Sequence, residues 1–170
     1  MIKQSSKSVQ LRLRVTKPWL GARRNKNVRR FDIDKIGGKD HLVLDLVMWR
    51  WALREAMDAE GLLAESDVDY VSMPTHVPAP KIRLYQRVWD PKNPSGREMF
   101  ESIQAGTVLT IPIVILSSLP SSGPFEEALN LRPPTEEEVK RCFSVIGTSI
   151  GLSPFGSRFG YGRFIVEDKT

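Results

Sequence analysis

The segment at residues 9–16 alternates apolar and polar residues without a break, and this pattern strongly restricts the secondary structure that the segment can form. Apolar side chains take the odd positions and polar or basic side chains the even ones: Val9, Leu11, Leu13 and Val15 against Gln10, Arg12, Arg14 and Thr16. A period of two is typical of a β-strand whose side chains point alternately to the two faces of a sheet. The pattern predicts a strand with one buried face and one basic face, which ends at Pro18 because proline cannot donate to the ladder.

The positive charge of the chain is concentrated around this strand. Residues 1–39 contain 12 of the 25 lysines and arginines and only two acids, a net charge of +10. The remaining residues carry −5, so the overall charge of +5 hides the asymmetry. A basic region joined to an acidic remainder favours binding of a polyanion, with a solubilising tail as the alternative interpretation. Residues 22–30 are basic with little to bury, and we expect a loop that a partner would order.

Composition narrows the class of protein. Cys142 is the only cysteine of the 170 residues, which excludes an intrachain disulfide and a multi-cysteine zinc site. No apolar run approaches the roughly 18 residues that a membrane span needs, and residues 1–7 lack the apolar stretch of a secretory signal. We therefore expect a cytoplasmic protein without a membrane partner.

Two helices are predicted. Asp40 is the expected N-cap of the first, which covers residues 41–60 and ends at Gly61. Trp49 lies on its apolar face, whereas Trp51 points about 200° away and is expected at a second interface. The second helix begins at the capping box Thr135-Glu136-Glu137-Glu138 and places Cys142 on its apolar stripe, which predicts a buried structural thiol.

Further strands are predicted at residues 82–89, 108–115 and 164–166. The first would present a basic and aromatic face with Arg83, Tyr85, Arg87 and Trp89, although a short helix fits the same residues. Residues 108–115 are apolar at both odd and even positions, which predicts a strand covered on both faces. Pro112 within it predicts an edge or a bulge at that point.

The glycine-rich tail, residues 147–163, is the most distinctive segment. Glycines let backbone amides converge on an anion, and the tail interleaves them with Arg158, Phe159, Tyr161 and Arg163. These residues predict a clamp on a nucleotide backbone. A tight helix-to-strand connection whose aromatic rings pack on the sheet is the alternative.

Residues Phe100–Ile111 (FESIQAGTVLTI) and the glycine-rich tail together resemble the RAMP-type CRISPR-associated RNA-binding proteins. The first segment has the acidic residue, spacer, Gly-Thr and alternating strand of that family, and the second is similar to its terminal glycine-rich loop. The resemblance implies a ferredoxin-like, RRM-like β-α-β-β-α-β fold that holds crRNA or its precursor. A distant or virus-encoded relative is implied, and no catalytic residue is carried over.

We therefore expect one α+β domain over residues 1–170, ferredoxin-like or RRM-like, with a mostly antiparallel sheet backed by two helices. The expected function is non-enzymatic binding of single-stranded nucleic acid, RNA in preference to DNA, with other protein subunits in a ribonucleoprotein complex and with no cofactor or metal. A basic strand and loop at residues 9–39 and the glycine-rich loop at 147–163 would contribute. The predicted binding residues are Arg12, Arg14, Arg23, Arg24, Lys26, Arg29, Arg30, Arg83, Tyr85, Arg87, Trp89, Arg158, Phe159, Tyr161 and Arg163.

Two alternative functions remain open. The chain could be a structural subunit of a virion or other particle. The basic arm and the different directions of Trp49 and Trp51 favour this alternative. It could also be a metal-independent RNA endonuclease that uses His41 or His76, although neither histidine has an acid or hydroxyl at a signature spacing.

Overall fold

The computed structural model describes residues 6–25, 27–88, 97–119, 130–152 and 160–167. The elements in these ranges are β1 (Lys7–Val15), β2 (Trp19–Leu20), β3 (Arg23–Asn25), β4 (Val28–Arg30), β5 (Ile33–Ile36), β6 (Lys39–Val43), α1 (Leu46–Ala59), a 3-10 turn (Val68–Tyr70), β7 (Val71–Ser72), β8 (His76–Pro78), β9 (Arg83–Val88), β10 (Arg97–Ile103), β11 (Val108–Ile115), α2 (Glu136–Val145), a π turn (Ile146–Ile150) and β12 (Phe164–Glu167). Neither α-helix has the length and hydropathy that crossing a membrane requires.

The first sheet has the strand order β12-β1-β11-β7, and all its neighbours are antiparallel. Along the chain its elements follow one another as β1, α1, β7, β11, α2 and β12, which is the β-α-β-β-α-β arrangement of ferredoxin-like domains. The predicted α+β class, a mostly antiparallel sheet backed by two helices, is confirmed. The predicted strand at residues 9–16 is β1, with its odd positions buried and its even positions facing outward.

One apolar core joins this sheet to both helices. The inward residues of β1 and β11, together with Trp49 and Leu53 of α1 and Val139, Cys142 and Phe143 of α2, are all at most 6% exposed. The capping box at Thr135 is present, and burial raises the pKa of the Cys142 thiol to about 12. Trp51 is 54% exposed, as its predicted position away from the core face requires.

The two long connections of the ferredoxin-like unit build two more sheets. Residues 16–45 contribute β2 to β6, and residues 73–107 contribute β8 to β10. β10 pairs with β9 on one side and with β2 and β4 on the other, and β3 pairs with β4. The third sheet has the order β5-β6-β8. Of the two structures expected at residues 82–89, a strand or a short helix, the strand is present as β9 (Arg83–Val88).

Three local predictions are wrong. The first helix is capped by Asp45 instead of Asp40, because Gly37 and Gly38, with φ of 59° and 78°, form the turn of a β5–β6 hairpin that extends to Val43. The loop expected at residues 22–30 instead contains the paired antiparallel strands β3 and β4. β11 is buried on one face only, since Thr110 and Pro112 are exposed.

Pro112 lies inside β11 without a bulge because its missing N–H faces away from β1. The amide of Val15 donates to the carbonyl of Thr107 at 2.9 Å. Hydrogen-bonded pairs alternate along an antiparallel ladder, so Gln10 and Pro112 form a pair without hydrogen bonds. On its other side β11 pairs with β7 only at Val114 and Ile115, and the proline therefore costs no ladder bond.

Candidate nucleic-acid interface

The basic hairpin, defined here as residues 23–30, sets arginines directly opposite one another. In its antiparallel register Arg23 faces Arg30, Arg24 faces Arg29 and Asn25 faces Val28. Like charges directly opposite each other on a sheet are destabilising. The two consecutive pairs place four arginines on two short strands, and a bound anion would balance this concentration of positive charge.

Acidic side chains neutralise only part of this charge. Arg23 Nη1 donates to Asp32 Oδ1 at 2.6 Å, in a pair whose side chains are 72% and 48% exposed. Arg29 Nε lies 3.7 Å from Glu98 Oε2, a long contact. Arg30 is exposed and makes no ion pair within the part of the chain that the structure describes. Exposed pairs are weak and are screened by salt, so the hairpin remains a cationic surface.

One face of the second sheet joins the hairpin to β9 through the buried Phe100. Along β9 and β10, Arg83 faces Ser102, Tyr85 faces Phe100 and Arg87 faces Glu98. Phe100 is also the register partner of Arg29 on β4. Because register partners share a face of a sheet, Arg29, Phe100 and Tyr85 form a row across three strands. Arg83 is exposed and Tyr85 is half-buried.

The glycine-rich tail reaches this row through Tyr161. The Tyr161 hydroxyl lies 3.2 Å from that of Tyr85, and the two rings meet edge to face at 6.1 Å. Tyr161 is 9% exposed and belongs to a small apolar cluster with Leu20 and Phe100. Tyr161, which was expected in the clamp on a nucleotide backbone, is thus buried with its ring against that of Tyr85.

Part of the glycine-rich sequence has a packing explanation. A Cβ at Gly147 would lie 2.2 Å from the carbonyl oxygen of Phe164, so only glycine allows the π turn to approach β12 this closely. A Cβ at Gly151 would lie 2.9 Å from the carbonyl oxygen of Tyr161. These two glycines fit the alternative of a tight helix-to-strand connection. Arg163 is half-buried, and its Nη1 lacks a hydrogen-bond partner among the described residues.

Several predicted residues are described only in part or not at all. Lys26, Trp89, Arg158 and Phe159 lie outside the described residues. For Arg24 and Arg87 the backbone position alone is described.

Arg12 and Arg14 are on a different surface, the outer face of the first sheet. Arg12 Nε donates to Glu167 Oε2 at 2.9 Å, and Arg14 donates to Glu167 Oε1. These bonds, that from Arg14 foremost, hold the pKa of Glu167 below its ordinary value. The two guanidinium groups remain 42% and 43% exposed. The structure thus brings the hairpin, β9 and Tyr161 together, and leaves the two β1 arginines apart from them.

A histidine–carboxylate cluster on the third sheet escaped the sequence analysis. His76 Nε2 lies 2.8 Å from Asp34 Oδ2, and its Nδ1 lies 2.8 Å from the hydroxyl of Thr75. Asp34 is the register partner of His41, so both histidines and the carboxylate share one face of the sheet. The spacing of these residues along the sequence does not predict the strand pairing that brings them together. Among the described residues no three His, Cys, Asp or Glu side chains are grouped as a metal ion would need.

Comparisons with known proteins add little to this geometry. No protein-family model matches the chain, and neither does any curated protein. A solved chain described as "CRISPR RNA-guided surveillance complex" superposes over 94% of this chain and 67% of its own, with a TM-score of 0.44 and 12% identity. A likeness at that level establishes neither a family nor a function.

Proposed function

We propose that this protein binds single-stranded nucleic acid, RNA in preference to DNA, as a non-enzymatic subunit of a ribonucleoprotein complex. The observation that carries the proposal is the basic hairpin, whose Arg24–Arg29 register pair lies on the same face of the second sheet as the half-buried Tyr85. Cationic side chains beside an aromatic face are the combination that binds the backbone and the bases of a single strand. The preference for RNA rests on the resemblance of residues 100–111 and 147–163 to RAMP-type proteins.

The outer face of the first sheet would play a secondary part. RRM domains stack bases on aromatic side chains at the corresponding face. Here the described strands place Arg12, Arg14, Thr110 and Pro112 on that face, and none of its side chains is aromatic. In the proposal this face contributes phosphate contacts, and the bases lie on the second sheet.

The test is the salt dependence of binding to labelled single-stranded RNA, single-stranded DNA and duplex DNA. An Arg24→Ala/Arg30→Ala variant removes two charges from the hairpin. A Lys35→Ala/Lys39→Ala variant removes the same charge from the neighbouring β5–β6 hairpin, where both lysines are exposed. Each lost phosphate contact to a single strand lowers the slope of log K against log salt by about 0.7, so the first variant should lose about 1.4 and the second nothing.

Equal slopes for the wild type and both variants would remove the hairpin from the interface. If the wild type bound no single strand near physiological salt and formed a defined oligomer without nucleic acid, the particle-subunit alternative would replace the proposal. The exposure of Val47 (81%) and Trp51 (54%) on α1 favours protein contacts in that case.

A metal-independent RNA endonuclease is the second candidate, and the cluster of His41, Asp34 and His76 favours it. Two imidazoles on one face could act as general base and general acid towards a ribose 2′-hydroxyl and a leaving oxygen. Long incubation of labelled hairpin RNA with the protein in EDTA tests this candidate. Cleavage that His41→Ala and His76→Ala both abolish would support it, and intact RNA would exclude it.

A further inference from the structure

A cleft of about 390 Å3 separates the basic hairpin from the start of α1. Its inner walls are apolar and include Trp19, Phe31, Leu42 and Met48. Trp19 and Phe31 meet edge to face at 5.8 Å, which fixes the orientation of both rings. Val47 lines the mouth and is 81% exposed. The volume lies within the range of small-ligand sites, and it exceeds what a single water or ion needs.

The mouth of this cleft carries both hydrogen-bond donors and acceptors. Its lining includes Arg23 and Arg30 of the hairpin and the carboxylates of Asp32 and Asp45. The Asp32 carboxylate is held by Arg23, and Asp45 Oδ1 accepts the amide of Met48 at 3.1 Å as the N-cap of α1. The opening therefore offers both donors and acceptors, and Arg30 has no ion-pair partner among the described residues. A flat, neutral group with donors and acceptors on its edge suits both the mouth and the apolar walls.

A nucleobase is such a group. It has an apolar face and an edge of amino and carbonyl groups, and it reaches the cleft attached to a phosphate chain. Arg30 lies both at the mouth and on the hairpin that the proposed function assigns to the phosphates. Burying one base against aromatic and aliphatic walls is a recurrent way of holding single strands, because a single strand has little stacking to lose.

We propose that this cleft takes one unstacked nucleobase of a bound single strand, with the neighbouring phosphate on Arg30. The inference rests on the proposed function and deepens it, because it assigns a base pocket beside the phosphate-binding hairpin. It also gives Val47 a role: an apolar side chain at the mouth that covers one edge of the base.

Two variants on the same helix provide the test. Val47→Glu places a carboxylate in the mouth of the cleft, and the exposure of Val47 makes a folding defect unexpected. Trp51→Glu adds the same charge one turn further along α1, at a residue 54% exposed that does not line the cleft. Each variant is titrated with a labelled single-stranded RNA octamer and with an abasic sugar–phosphate octamer of the same length. We expect Val47→Glu to bind the RNA octamer roughly 5- to 100-fold more weakly, and the abasic octamer and the Trp51→Glu variant to show no such loss.

A cross-linking experiment locates the base directly. The wild type is irradiated with an octamer that contains 5-iodouracil, which couples to nearby aromatic rings, and the peptides are identified by mass spectrometry. We expect cross-links at Trp19 or Phe31 that Val47→Glu removes and Trp51→Glu retains.

The outcomes separate this inference from the proposed function. Normal single-strand binding with equal affinities for Val47→Glu and Trp51→Glu, or cross-links confined to β9 and β10, would overturn the base pocket alone. An equal loss on the RNA and abasic octamers would show only charge repulsion, and would also overturn it. A Val47→Glu protein that binds RNA normally but no longer binds a partner subunit would assign the cleft to a protein side chain instead. Failure of the wild type to bind any single strand would overturn both proposals.

Discussion

The carboxylate of Glu138 connects the start of α2 to the preceding loop through hydrogen bonds, and its removal should lower the free energy of unfolding measurably. Glu138 accepts hydrogen bonds from Arg132 Nη1 at 2.8 Å and Nη2 at 3.0 Å, and from the Thr135 amide at 2.9 Å. These bonds, with Arg132 as the main cause, lower the pKa of Glu138 from 4.5 to about 2. Lowering the pKa of this carboxyl from 4.5 to about 2 corresponds to about 3.4 kcal/mol of folding free energy. The Arg132 side chain is 41% exposed, so solvent screening reduces the expected contribution to about 2 kcal/mol.

The sign of the pH dependence follows from the direction of the shift. Because the folded-state pKa is the lower one, the contribution is complete above pH 4.5 and is lost as the pH falls towards 2. In urea unfolding followed by tryptophan fluorescence, Glu138→Gln should lose about 2 kcal/mol at pH 7, and its difference from the wild type should shrink as the pH falls. Glu137→Gln, an exposed acid in the same helical turn, is the control and should lose no more than about 0.5 kcal/mol. Equal losses for the two variants, or a difference from the wild type that does not change in acid, would refute the argument.

Three further predictions concern other parts of the molecule. Gly147→Ala should lower the melting temperature, because its methyl group would lie 2.2 Å from the Phe164 carbonyl oxygen; an unchanged melting temperature in calorimetry would contradict the close approach. Cys142 should be inert to a thiol reagent in the native state and reactive in urea, since burial raises its pKa to about 12; rapid native labelling would contradict this. Glu167→Gln should release the two β1 arginines and strengthen binding of labelled single-stranded RNA at low salt, and unchanged affinity would exclude the outer face of the first sheet from the interface.

The elements that the sequence predicted correctly are those with a strong local pattern. The alternation in β1 and the capping box at Thr135 depend on neighbouring residues, and both are present. The closing strand β12 follows the glycine-rich tail as expected. The predicted N-cap Asp40 was wrong because the glycines at residues 37–38 both take positive φ and form the turn of a hairpin, so that α1 begins only after Asp45. The pair Gly37-Gly38 is itself a sequence signal for a two-residue hairpin turn.

The site was harder to predict than the scaffold because it depends on pairing between distant segments. The basic hairpin is stabilised by β10, where Val28 pairs with Met99 and Arg29 with Phe100, about seventy residues away along the chain. Arginines are not typical strand residues, and their local pattern indicates a loop. The burial of Tyr161 follows in the same way from Tyr85, Phe100 and Leu20, which lie on three separate strands or turns.

The distribution of charge over the three sheets gives a reason why binding and stability can be separated by mutation. The first sheet and the two helices share one apolar core, and the two arginines on its outer face share the single carboxylate of Glu167. None of the described hairpin residues belongs to the apolar core, and Arg30 has no acidic partner among the described residues. Unfavourable Arg–Arg pairs are tolerated there because the core elsewhere supplies the stability. We therefore expect the Arg24→Ala/Arg30→Ala variant to unfold at the same or a higher urea concentration than the wild type while it binds RNA more weakly; a loss of stability in parallel with binding would show that the arginines serve the fold instead.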